Sequence, residues 1–133
     1  MHVPARFVLL FCLLTIAGCG KSQKSTDELI ADLKSHQEKD RIIAVRLLPE
    51  RKADAAKIVP AMIECLKDTQ EDVRLSAAIG LGSFGEEARP AIRELQAAQK
   101  DADARVRRAA GNALSRIDAK LPATTGPPKQ PGK

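Results

Sequence analysis

Apolar residues recur along this chain at spacings of three and four, the period that lines one face of an α-helix. Leu29, Ile30 and Leu33 form one stripe, Val59, Met62, Ile63 and Leu66 a second, and Ile92 and Leu95 a third. Three more stripes alternate with these: Ile43, Val45, Leu47 and Leu48; Val73, Ala77, Gly80, Leu81 and Phe84; Val106, Ala110, Ala113, Leu114 and Ile117. No segment shows the period-two alternation of a half-buried strand, and no Asn-Gly hairpin signal occurs. The stripes themselves repeat. Shifted by 33 residues, Leu29 meets Met62 and Leu95, Arg41 meets Arg74 and Arg107, and Ala44 meets Ala77 and Ala110. Such a register predicts an all-α fold, an α-α superhelix that is a short solenoid of three helix pairs. The repeat domain spans 26–119, in units 26–52, 53–85 and 86–119.

Start and stop signals support the division. Ser25-Thr26-Asp27-Glu28 has the form of a capping box, and Ser35-His36-Gln37-Glu38 repeats it. One period later comes Asp68-Thr69-Gln70-Glu71, with Asp68 as the expected N-cap. Gly85 ends a helix and Glu86-Glu87 opens the next. Pro60, six residues past Asp54, is expected to bend its helix or delay its start, and Pro90 to disturb less.

These residues resemble HEAT repeats, in particular the HEAT-like repeats named after phycobilisome lyases. The run Val73-Arg74-Leu75-Ser76-Ala77-Ala78-Ile79-Gly80-Leu81-Gly82-Ser83-Phe84-Gly85 carries the likeness, and Val106-Arg107-Arg108-Ala109-Ala110 echoes it. A family Pro, Asp and Arg stand in order at Pro60, Asp68 and Arg74. The third unit keeps Asp101 and Arg107 but has Arg93 where Pro would match; the first has Asp27 and Ser35 in place of Pro and Asp. The resemblance implies an α-solenoid whose second helices line the concave side. Such repeats serve mostly as binding scaffolds.

The two ends read differently. Phe7 to Ala17 is an apolar run of about 11 residues, where a membrane-spanning helix needs roughly 20. Ile16-Ala17-Gly18-Cys19 resembles the lipobox of bacterial lipoproteins; an ordinary cleavable signal with a chance cysteine is the alternative. The resemblance implies a signal peptide over 1–18, a lipidated Cys19 and a polar tether over 19–25. Gly20 then leans towards the outer membrane. Residues 120–133, rich in Pro and Lys, are expected to form a disordered tail. Gln96 and Gln99 replace the Ile and Leu of earlier units, as a terminal cap requires.

Composition narrows function. The formal charge is +5, but six of the 22 basic residues lie outside 26–119, leaving 16 against all 17 acidic ones. A near-neutral body does not match nucleic-acid binding. The chain has no Trp or Tyr and only three Phe, too few for base stacking. Two His and three Cys supply little for a metal centre or triad, so neither a metal nor another cofactor is expected. His36 reads as a turn residue and Cys65 as a structural thiol. No catalytic constellation emerges, and the protein is expected not to be an enzyme.

Asp68 with Arg74, and Asp101 with Arg107, form the most specific charged pattern. Six residues apart, each pair brackets a turn and a helix start, and the expectation is a polar ladder between stacked repeats. A binding face is expected opposite the buried stripes of the second helices: Ile42 and Arg46, then Leu75, Ile79 and Ser83, then Arg108, Asn112 and Arg116. Leu75 and Ile79 form an apolar centre with a basic rim. The expected function is that of a monomeric, lipid-anchored scaffold that binds an envelope protein. The alternative is a lyase-like or chaperone subunit handling a chromophore or a modified protein.

Overall fold

The computed structural model describes residues 23–118. The expected signal peptide over 1–18, Cys19 and the expected tail over 120–133 lie outside the described residues, as does the part of the expected tether before Gln23. Six α-helices follow in order: α1 (Thr26–Asp32), α2 (Glu38–Leu47), α3 (Ala55–Cys65), α4 (Glu71–Phe84), α5 (Ile92–Ala98) and α6 (Ala104–Ile117). They form three antiparallel pairs, with no strand among the described residues. The second helices α2, α4 and α6 lie side by side, and α5 packs back on α6. This is the solenoid that the 33-residue register predicts.

The register is visible in the core. Ala44, Ala77 and Ala110 are all fully buried, as are Leu29, Met62 and Leu95. At the first set a side chain larger than Ala would overpack the layer; at the second, full burial of each side chain stabilises by about 2–3 kcal/mol. Val73 and Val106 are likewise closed off from solvent.

Several local signals act as expected and others do not. Ser25 makes the full capping box with Glu28. The N-caps of α2 and α4, however, are Gln37 and Gln70, without side-chain capping. Ser35 and Asp68 stand two residues earlier. Ser35 Oγ accepts from the Gln37 N–H and Asp68 Oδ1 from the Gln70 N–H, so they tie off the turn ahead of the helix. Asp101 does the same for the Asp103 N–H, and Asp103 is the true N-cap of α6, accepting from the Arg105 and Val106 N–H groups.

Pro60 does not delay its helix, since α3 starts at Ala55 and continues past it to Cys65. The carbonyl it orphans belongs to Ala56, and both residues are exposed, so water can satisfy that group. Pro90 disturbs more than Pro60, against expectation: Gly85–Ala91 is a 3₁₀ segment and α5 begins only at Ile92. Gly85 ends α4 at φ 58°, ψ −129°, a conformation suited to glycine alone.

Candidate functional site

The charged pattern at the helix starts is a clamp between units. Arg41 Nε and Nη2 donate to Asp68 Oδ2 and Oδ1 at 2.8 and 3.1 Å. One unit on, Arg74 Nε and Nη2 donate to Asp101 Oδ2 and Oδ1 at 2.8 and 3.0 Å. Both are bidentate forks, the strongest geometry for this pair, and both are largely shielded from water. The residues six apart do not pair through their side chains. Arg74 instead donates Nη1 to the main-chain carbonyls of Asp68 and Thr69, as Arg41 does to Ser35 and His36, and Arg107 to Asp101 and Ala102. Each arginine thus braces the turn before its own helix, and Arg41 and Arg74 also grip the aspartate of the next unit.

The electrostatics follow. The fork with Arg74 holds the Asp101 carboxyl below the ordinary carboxylate range. Burial pushes the Asp68 carboxyl up, but its bonds from Arg41 and the Gln70 N–H outweigh that and hold it low. In the first unit Ser35 stands where Asp would match, and its Oγ donates to Asp40 at 2.8 Å. Asp40 therefore has a partner that the register did not foresee.

Between α4 and α6 lies a groove of about 420 Å³. Its floor is made by small residues. Ala78 and Gly82 of α4 face Ala109 and Ala113 of α6, and a Cβ added at Gly82 would stand 2.9 Å from the Ala113 Cα. Helices this close can carry only Gly or Ala at the contact. Leu75 and Ile79 form the apolar wall; Ile79 is 55% exposed, whereas Leu75 is half-buried against the core. Arg105, Arg108, Asn112 and Arg116 form the polar wall. Arg105 bridges Asp72 at 3.1 Å and Asp103 at 2.9 Å, and its bonds help to lower the Asp103 carboxyl to about 2. Neither Arg108 nor Arg116 forms an ion pair among the described residues.

The structure thus brings together Leu75, Ile79, Arg108, Asn112 and Arg116 but leaves out three residues of the expected face. Arg46 is exposed on α2, away from the groove. Ser83 does not line the groove either: its Oγ donates to the Gly80 carbonyl, and its own carbonyl accepts from Lys52. Ile42 is half-buried against the core. The helical-wheel reasoning failed there because it treated all three second helices as equivalent, whereas the residues that line this groove come from α4 and α6. It also missed Arg105, whose signal was present: Arg105 matches Asp72 one period earlier, and matched positions on adjacent helices lie side by side.

No group of three metal-ligating side chains occurs among the described residues. Cys65 is buried, and burial pushes its thiol up to about 11, so it is no nucleophile at neutral pH. His36 is exposed.

A family model described as HEAT repeats matches residues 26–115. Among solved structures, the chain is similar to one in "The structure of the complex of CpcE and CpcF of phycocyanin lyase from Nostoc sp. PCC7120". The TM-score is 0.66 at 27% identity, over 72% of this chain but only 38% of that one. No curated protein matches the sequence. With the 33-residue register, the three helix pairs and the clamp between units, the match over 26–115 places this chain in the HEAT-repeat family.

Proposed function

We propose that the protein is a scaffold that binds a partner protein in the α4–α6 groove. The groove itself carries the reading: an apolar wall of Leu75 and Ile79 faces Arg108 and Arg116, two arginines with no ion pair of their own among the described residues. That arrangement suits a segment with apolar side chains flanked by carboxylates. The scaffold is monomeric and held in the cell envelope by a lipid on Cys19, at the outer membrane or the periplasmic face. Support for the anchor is the sequence Ile16-Ala17-Gly18-Cys19. No helix among the described residues is long and apolar enough to cross a membrane.

A photocrosslinking residue placed at Ile79 in the native cells tests the groove. It should trap one protein, and the same residue at exposed Lys57 on α3 should not. Equal trapping at both positions would remove the groove from the proposal.

The likeness to a phycocyanin lyase structure favours a second reading, a lyase-like or chaperone subunit handling a chromophore or a modified protein. The chain has no Trp or Tyr, so a bound chromophore would dominate its near-ultraviolet and visible spectrum. A featureless spectrum of the protein purified from its own cells would count against that reading.

A further inference from the structure

In the repeat register, α2 exposes a flank that α6 buries and α4 covers in part. Ala109 and Ala113 of α6 are buried, and Ala113 lies against α4. Their matches in α4 are Ser76 and Gly80, and Gly80 lies against Pro49 of the first unit and Met62 of its own. The matches in α2 are Ile43 and Leu47. Among the described residues no helix precedes α1, and here the small residues give way to large apolar ones, 53% and 41% exposed. With Ile79 these are the exposed large hydrophobic residues of the described structure.

Ile43 and Leu47 share a groove of about 620 Å³ with Gln23, Lys24, Leu29, Glu50 and Arg51. Gln23 and Lys24 place the start of the described chain at this groove. Cys19 lies four residues before Gln23. Four extended residues reach at most about 15 Å. An anchor on Cys19 would therefore hold this end of the solenoid, and not the α6 end, beside the bilayer.

We propose that the α2 flank of the solenoid rests on the membrane surface, with Ile43 and Leu47 sunk into the boundary between headgroups and acyl chains. The proposal rests on the lipid-anchor reading above. Large apolar side chains at an end held beside a bilayer have a surface to enter, and apolar faces of surface helices sink about 5–10 Å into that boundary. The surrounding charge fits an anionic leaflet. Lys39 and Arg46 are exposed on the same side of α2, and Arg51 stands at the groove beside Glu50; Lys24, also at the groove, is paired with Asp32 at 2.6 Å. The contact adds a second attachment to the acyl anchor and holds the domain in one orientation, with α6 at the far end of the stack.

The test uses the processed full-length protein, purified from its own membranes and placed in vesicles of phosphatidylethanolamine and phosphatidylglycerol. An environment-sensitive thiol label is attached at L47C and, in a second variant, at N112C on α6. Cys65 stays in place, because it is buried. Nitroxide-bearing lipids should quench the label at position 47 by about half or more and leave position 112 unchanged. Hydrogen exchange on the unlabelled protein should show α2 slowed by vesicles and α6 not. Mass spectrometry of Cys19 in the same sample separates the two readings. Acylated Cys19 with an unquenched label at 47 overturns the membrane contact and leaves the anchor standing. Unmodified Cys19 overturns both. Protection of position 47 by a second copy or another protein, in place of lipid, also overturns the proposal.

Discussion

The two junctions between units are built alike at the helix starts and differently along the helices. Both have an arginine fork on the aspartate 27 residues later, at matching distances and with matching shielding. Along the helices they diverge. Where the first unit meets the second, Gly80 faces the Pro49 side chain, its other neighbour Met62 belonging to its own unit; where α4 meets α6, Gly82 faces the main chain at Ala113. The comparison separates two tasks. The polar clamp sets register and can be copied from unit to unit, while the small residues set how closely two helices approach. At the second junction close helices combine with the open apolar wall of Leu75 and Ile79, and there the α4–α6 groove forms.

The largest expected effects lie in the clamp. Asp68→Ala and Asp101→Ala should each destabilise by about 3 kcal/mol, because a shielded arginine loses its partner and a turn loses its acceptor. Arg107→Ala should cost less than about 1 kcal/mol, since Arg107 is exposed and braces only its own turn. Urea melts of the three variants measure the difference, and equal losses would mean that the fork between units contributes nothing beyond the turn.

The helix contacts come next. Gly82→Ala should cost about 2 kcal/mol, because the new methyl meets main chain that cannot step aside. Gly80→Ala meets the end of the Met62 side chain, which can move, and the Pro49 ring at 2.7 Å, which moves less freely. Its cost, offset in part by a gain in helix propensity of about 1 kcal/mol, should be about 1 kcal/mol. A reversed order would show that close approach is not what distinguishes the second junction.

A smaller effect is expected from pH. Asp68 and Asp101 titrate below their ordinary range in the folded chain, so the unfolded chain binds more protons at acid pH. Their stabilisation is complete above the unfolded value of about 4 and falls away as pH drops through the lowered folded values. The double variant D68N/D101N should start less stable at pH 7 and lose less than the natural chain between about pH 4 and 2. Parallel losses in acid melts would detach the clamp from the acid sensitivity.

The fold was legible because one residue in three or four reports burial and the pattern recurs with Leu29, Met62 and Leu95 in register. The clamp was half legible. Asp68, Arg74, Asp101 and Arg107 stand out by spacing, yet spacing along one chain does not say that Arg74 reaches across to Asp101 and not back to Asp68. Arg41 was seen as a repeat position and not as a partner of Asp68. The groove was legible at Ile79, Arg108 and Arg116, whose helical phase points outward. Its shape was not, because it depends on how closely α4 and α6 pack, and that comes from Ala78, Gly82, Ala109 and Ala113 acting together across two helices. Pro60 misled about where α3 starts because position alone does not show that the carbonyl it orphans belongs to an exposed residue, Ala56.

Ile79→Asp tests the binding face most directly. At 55% exposure, Ile79 contributes little to folding, and its loss should change stability by less than about 0.5 kcal/mol. With the protein trapped at position 79 as ligand, titration should show Ile79→Asp weakening binding by about tenfold or more, with the melting temperature unchanged. Arg46→Glu, on α2 and outside the groove, should bind as the natural chain does. Undiminished binding by Ile79→Asp, or an equal loss with Arg46→Glu, would contradict the assignment of the partner to the α4–α6 groove.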